Sequence, residues 1–244
     1  MSGWHHFEVR GAAFLLALVP PIVVLLYLLV SGEARGFEAR RRVFRAFATG
    51  FLVVIPVGCA EFSFRWALGP LEARLPHGLA MAMLAFGVFG ALEEGGKWWA
   101  ARRVARTAIG TERDAIVYAM AVGLGFACLE GLVYWIGDAR SAPIRMMTSV
   151  PMHAIAAGLM GSELGRASLA RERAIARRHL TRSLLVPLAF HGAYDALLLA
   201  SGLWWAATTP LLLGGLFWVR WRWRRELSEG TRRPGSEGPV RPRG

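Results

Sequence analysis

Apolar runs of about twenty residues recur along the chain, the length a helix needs to cross roughly 30 Å of hydrocarbon. They cover Ala12–Val30, Phe44–Phe62, Gly78–Ala101, Ala115–Ile136, Met146–Gly165, Ser183–Ser201 and Trp204–Val219. The expected fold is all-α: a polytopic membrane bundle of about seven transmembrane helices. Hydrophobic residues make up 55% of the 244, above a soluble domain's usual share. Residues 1–225 read as a single integral-membrane domain. Residues 226–244, rich in Gly, Pro and Arg, read as a disordered basic tail.

The formal charge of +12 would suggest a nucleic-acid partner in a soluble protein. Here the arginines fall between the apolar runs, so membrane topology accounts for them and no nucleic-acid partner is expected. Lys and Arg in successive loops number 1, 5, 2, 4, 2, 6, 0 and 8. Every second loop is rich. By the positive-inside rule the N-terminus lies outside and the C-terminus in the cytoplasm of a multi-pass protein of the inner (plasma) membrane. The basic face is expected to meet anionic lipids. Several tryptophans, among them Trp98, Trp99, Trp204, Trp205 and Trp221, fall near run ends, where interfacial aromatics belong. The first run is longer than a signal-peptide core, and no small-x-small cleavage site follows it, so it counts as a span. Cys59 and Cys128 lie in apolar runs and form no CxxC pair, so both read as small packing residues.

Inside the third run stands Glu93-Glu94-Gly95-Gly96-Lys97. A charged group at bilayer depth costs about 2.5–3.5 kcal/mol on insertion scales, so three within five residues need partners. Lys97 lies four residues from Glu93 and three from Glu94, both spacings at which helical side chains meet. Adjacent carboxylates rarely both ionise in a low dielectric. One is expected to be held by Lys97 and the other to serve as a general base. Further polar residues stand in other runs: Glu130 in the fourth, His153 in the fifth, and His191 with Asp195 in the sixth. Asp195 could orient the His191 ring or, when protonated, donate to an oxyanion. Gly123, Ala127 and Gly131 form a small-xxx-small stripe, and with Gly125 they would let neighbouring helices approach Glu130 closely. Glu61, near the end of the second run, reads as interfacial or as a proton relay and is left outside the expected site.

Other motifs fail. Gly90–Lys97 has the wrong register for a phosphate-binding loop, and Trp98 replaces its hydroxyl residue. No HExxH motif is present. Ser162 as a nucleophile with His191 as its base lacks any supporting pattern.

The ordered set Glu93-Glu94-x-x-Lys97, Asp114-x-x-x-Tyr118, Gly123-Leu124-Gly125-Phe126-x-x-x-Glu130, His153 and His191-Gly192-x-x-Asp195 resembles the PrsW family of bacterial intramembrane proteases. That family is similar in turn to type II CAAX prenyl endopeptidases and the wider Abi group. The match covers about residues 78–200. The resemblance implies an all-helical membrane fold, peptide-bond hydrolysis and, for the family's namesake, a membrane-anchored anti-sigma factor as substrate. It makes Glu93 the base that activates water and Glu94 its partner, with histidines near the oxyanion. Glu130 stands where the CAAX relatives carry a histidine, Asp195 where they often carry Asn, and Gly131 where PrsW proteins are expected to carry Asn.

The expected activity is therefore intramembrane proteolysis of a membrane-anchored protein. Glu93, Glu94, Glu130, His153, His191 and Asp195 form the expected catalytic set, with Lys97 as charge partner. Glu93, Glu94, Glu130, His153 and His191 could hold a divalent metal such as zinc, and a metal-free glutamate mechanism is equally compatible. Two other function classes remain open from sequence. One is a transporter or proton channel built on the same buried Glu and His groups. The other is a family member that binds a membrane partner without hydrolysis.

Overall fold

Helices form where the apolar runs place them, and they overrun those runs at nearly every end. The structure, a computed structural model, describes residues 2–30, 36–105, 110–137, 142–200 and 202–230. Among the described residues there are seven helices and no strand. Helix α1 spans Ser2–Val30 and α2 spans Phe37–Glu72. Helix α3 is continuous through three pieces: His77–Ala82, a wider π-helical stretch Met83–Gly90, and Ala91–Ala105. Then come α4 (Glu112–Gly137), α5 (Ala142–Leu169) and α6 (Arg173–Leu199). A 3₁₀ turn, Gly202–Ala207, leads into α7, Thr208–Gly230.

One expectation is corrected: Arg65–His77, with Pro70 and Pro76, reads as a loop. The stretch Arg65–His77 is mostly the last turns of α2, which carries Pro56 and Pro70 inside it and ends at Glu72. Arg166–Arg182, which reads as a polar extension of helix followed by a turn, extends α5 to Leu169, turns at residues 170–172, and from Arg173 onward forms the first turns of α6. Both follow from cooperativity: a nucleated helix extends through Ala, Arg and Leu at little cost, whatever their polarity. Likewise α7 continues through Gly230, into the stretch read as a disordered tail, while residues 231–244 lie outside the described residues.

Among the described residues, three helices are long and apolar enough to cross a membrane: Phe37–Glu72, His77–Val104 and Glu112–Gly137. Their apolar windows are 33%, 39% and 72% buried, so α4 is the central helix and the other two are peripheral. A helix apolar on all sides belongs inside its bundle. Around α4 pack Leu25 of α1, Val43 and Ala46 of α2, Ala100 and Ala101 of α3, and Met160 and Leu164 of α5. Cys128 is buried in α4 as expected of a packing residue, whereas Cys59 is exposed on α2.

Glycines let the backbones meet. A Cβ added at Gly125 would collide with the Phe47 carbonyl of α2 and lie 2.8 Å from the Phe51 nitrogen. A Cβ at Gly123 would lie 2.6 Å from the His153 carbonyl oxygen of α5. These two positions fix α2 and α5 against opposite sides of α4. Gly131 is buried on the same helix.

A polar clamp ties together the end of the bundle where α4 begins. Ser162 Oγ donates to Glu112 Oε1 at 2.5 Å, and Arg166 Nε donates to Glu112 Oε2 at 3.3 Å. Arg222, 6% exposed, lies 3.7 Å from Glu112 and 3.7 Å from Glu163, which itself pairs with His179 at 2.6 Å. Four helices are cross-linked there by charge-assisted contacts.

Gly125→Leu is expected to lower the thermal unfolding midpoint in detergent, because overpacking of this kind typically costs about 1–3 kcal/mol and backbone atoms cannot move aside. Gly58→Leu on α2, where a Cβ meets nothing within 4 Å, is expected to leave the midpoint unchanged.

Candidate functional site

The site begins with a turn of α3. Just before it, the π-helical stretch Met83–Gly90 faces α6, where a Cβ at Gly192 would run into the Phe86 ring. That close approach brings His191 over the next turn of α3, which carries Glu93, Glu94 and Lys97. Wide helical turns of this kind are frequent at functional sites.

Lys97 is the hub. Its Nζ is fully buried and donates to Glu94 Oε1 at 2.8 Å and to Glu93 Oε2 at 3.1 Å. Sequence spacing allowed one carboxylate to be held; the structure has both held. A third contact comes from another helix: Nζ lies 2.7 Å from His153 Nδ1 of α5. The ammonium also rests 4.1 Å above the Phe126 ring of α4, a cation–π contact in a dry site.

The partners set the histidine tautomers. A lysine ammonium only donates, so His153 Nδ1 accepts, and its Nε2–H donates to Glu130 Oε2 at 2.6 Å. His191 Nδ1 donates to Glu94 Oε1 at 2.7 Å. The group that orients the His191 ring through Nδ1 is thus Glu94, not Asp195. Asp195 Oδ2 stands on the other nitrogen, 3.3 Å from Nε2. The two rings meet edge-to-face with centroids 5.3 Å apart.

Glu93 Oε2 lies between the rings, 3.8 Å from His191 Nε2 and 4.0 Å from His153 Nδ1. One donor atom from each of Glu93, His153 and His191 can be chosen so that all lie within 4.8 Å of one another. Two imidazoles and a carboxylate are a donor set that zinc takes in catalytic sites, with a fourth position open. Tetrahedral zinc would draw such donors to about 3.3 Å, so the two Glu93–histidine distances would close by roughly half an ångström and the widest pair by up to about 1.5 Å. Each ring has its other nitrogen on a carboxylate, the outer-shell pattern typical of metal-binding histidines. Lys97 stands against the same His153 nitrogen, a fixed positive charge that an incoming cation must displace or tolerate. Glu130 and Glu94 therefore act on the rings from outside the central trio.

The remaining sequence candidates sort as follows. Ser162 is bonded to Glu112 in the clamp, nine residues along α5 from His153, and has no part in the histidine cluster. Asp114 Oδ2 accepts from the Gly110 and Thr111 amides at 3.1 and 2.9 Å, so it caps the start of α4. Glu61 of α2, left outside the expected site, stands within electrostatic reach of Glu93, Glu130, Lys97 and His191. Its signal in the sequence was only a carboxylate near the end of an apolar run, which an interfacial position explained as well.

Beside the site, α2 and α3 form an open apolar cavity of about 450 Å³. Val53, Pro56, Val57 and Ala60 line it from α2, and Ala91, Leu92, Gly95, Gly96 and Trp99 from α3. Leu92 and Gly95 flank the Glu93-Glu94 pair in the chain, so the cavity adjoins the charged turn.

Breaking one partner of a buried ion pair typically costs about 3–5 kcal/mol, because the other charge is left unpaired. Lys97→Met is therefore expected to lower the thermal unfolding midpoint sharply in detergent. Adding Glu94→Gln to Lys97→Met is expected to recover part of the loss, a coupling that a double-mutant cycle measures.

Known proteins resemble the chain over most of its length. A sequence model described as "PrsW family intramembrane metalloprotease" matches residues 38–221. A protein named Protease PrsW from Geobacillus kaustophilus is 29% identical over 227 residues, covering 92% of this chain and 95% of the relative. Protease PrsW of Bacillus subtilis is 30% identical over 199 residues, covering 80% and 87%. Protease PrsW of Halalkalibacterium halodurans is 30% identical over 190 residues, covering 77% and 84%. No solved structure matches the chain significantly.

Proposed function

Because this chain belongs to the PrsW family of intramembrane proteases, we propose that it hydrolyses a peptide bond of a membrane-anchored protein with water activated by Glu93. The observation that carries this reading is the Glu93–His153–His191 trio, closed inside the bundle and held by Lys97. Glu93 Oε2 faces both imidazoles and is the carboxylate placed to take a proton from an attacking water. Glu94, fixed by Lys97, accepts from His191 Nδ1 and holds the orientation of the ring, which with a carboxylate on each nitrogen carries both protons. His191 Nε2, steadied by Asp195, is the donor available to an oxyanion. Glu130 holds His153, and His153 in turn receives Lys97.

In a metal-bound form of the same site, Glu93, His153 and His191 would instead hold a divalent ion such as zinc, with the His191 Nε2 proton released. When bound, that ion supplies Lewis acidity to the scissile carbonyl and to water. Equilibrium dialysis followed by elemental analysis is expected to find about one zinc per chain. Affinity should fall by more than about tenfold in His191→Ala and by less in Glu130→Gln, which lies outside the trio. A flat zinc titration in wild type, alongside retained proteolysis, would favour the metal-free form of the same site.

The substrate segment must unwind locally, because a helix hides its carbonyls in hydrogen bonds. An anti-sigma factor with a single membrane anchor is the substrate the family resemblance favours. The arginine alternation supports seven spans of the inner (plasma) membrane, an outside N-terminus and a cytoplasmic C-terminus in contact with anionic lipids. The test is cleavage of tagged single-pass proteins by the purified enzyme in liposomes. Wild type is expected to cut, and Glu93→Gln and His191→Ala to lose at least about a hundredfold in kcat, the usual scale for a lost proton-transfer group or oxyanion donor. Equal cleavage by Glu93→Gln would overturn the assignment of the base.

A further inference from the structure

Most carboxyl groups around the trio are already engaged. Glu93 and Glu94 accept from Lys97, Glu130 from His153, and Asp195 lies against His191. Glu61 differs. Its Oε1 and Glu94 Oε2 are both buried without a hydrogen-bond partner among the described residues, but Glu94 is held through its other oxygen by Lys97 and His191.

Its place in the fold points it at the same turn of α3. Val54 and Val57 of α2 pack against Phe126, the ring beneath the Lys97 ammonium, and Leu92 packs against the same cluster. A Cβ at Gly96 would lie 2.6 Å from Val57 Cγ2. Glu61 follows Val57 by four residues and Val54 by seven, so it continues that face by one further turn. The next residues inward along α2, Ala60 and Val57, line the apolar cavity beside the charged turn. Charged groups in electrostatic reach of Glu61 include Glu93, Glu130, Lys97 and His191, and Arg65 stands one turn along the same face of α2; no hydrogen bond joins Glu61 to any of them.

We propose that Glu61 is a further catalytic residue, the acid that protonates the leaving amine nitrogen. The proposal rests on the proteolytic reading of the site. A lone ionised carboxylate in an apolar place is costly, so the proton stays on Glu61 until a base needs it. Attack of water on the carbonyl carbon forms the C–O bond and leaves one water proton on Glu93. The C–N bond breaks only as the nitrogen gains a proton, since an amide anion is a poor leaving group. Glu61 Oε1–H supplies that proton, and the C–N electron pair stays with the nitrogen. The products are an amine and a carboxylic acid, with Glu93 protonated and Glu61 ionised. A proton returned from Glu93 to Glu61 through water resets both. The division leaves Glu93, tied to Lys97, as base and gives the acid step to the carboxyl that nothing else holds.

The test compares wild type, Glu61→Gln, Glu61→Asp and Glu93→Gln in liposomes on one tagged single-pass peptide, presented as its amide and as an ester with an activated leaving group. Glu61→Gln is expected to lose at least about a hundredfold in kcat on the amide with KM and thermal midpoint unchanged. On the ester, whose leaving group needs no proton, it should stay within about threefold of wild type, and Glu61→Asp should recover part of the amide rate. Amide cleavage by Glu61→Gln within threefold of wild type, or equal losses on amide and ester, overturns the proposal. A second measurement needs no substrate. The infrared carbonyl band of a protonated carboxyl, shifted in heavy water, should vanish in Glu61→Gln, and a band unchanged by that substitution also overturns it. Absence of wild-type cleavage of both substrates, with the band present and lost in Glu61→Gln, would count against the proteolytic reading and not against Glu61 as a proton-holding group.

Discussion

A lysine ammonium with no exposure to solvent is the constraint on which the centre of this protein depends. Unpaired, it could not remain charged in such a place. It is kept by two carboxylates from its own helix, one imidazole from α5 and one aromatic face from α4. Those contacts commit their partners in turn. Glu94 becomes the anchor of His191, and His153, occupied at Nδ1, turns its Nε2–H toward Glu130. One charge thus orders side chains from four helices and leaves Glu93 Oε2 between two rings. An ion pair this deep contributes little net stability over well-packed apolar residues, so its presence points to chemistry rather than to holding the fold.

The bundle brings those four helices together by omitting side chains at a few points. Gly125 admits α2, Gly123 admits α5 directly at His153, and Gly192 admits the Phe86 ring of α3. Close approach of this kind is how helices associate where lipid offers no hydrophobic drive between them. The second polar centre, around Glu112 and Arg222, shares α4 and α5 with the first and lies about three turns away from it. The central helix is therefore fixed by charge at one end and by packed glycines along its length, and the histidine cluster is built on that fixed frame. The segment matched by the family, residues 38–221, includes every residue of the cluster and all of the clamp except Arg222.

Much of this is local chemistry and was legible in one dimension. The all-helical class follows from the run lengths. The contact of Lys97 with Glu93 and Glu94 follows from spacings of four and three on a helix, and that of Asp195 with His191 from a spacing of four. The buried carboxylates and histidines stood out because lipid makes such residues costly. Helix ends were less legible, since a helix continues past its apolar stretch as long as the next residues tolerate it, as α2 does to Glu72 and α6 does from Arg173.

What the tertiary structure alone decided are the pairings between helices. Sequence spacing could not say that His191 would turn Nδ1 to Glu94, 97 residues away, instead of to Asp195 on its own helix. Nor could it say that Lys97 would reach His153, or that Glu61 would continue the α2 face packed around Phe126. The physical reason is that helical periodicity fixes which residues share a face, whereas the crossing of two helices is set by where both can shed bulk. Here that is decided jointly by Gly123, Gly125, Gly192 and the wide turn Met83–Gly90. The sequence determined the charged groups this chain had to bury, and the packing of its helices determined which of them meet.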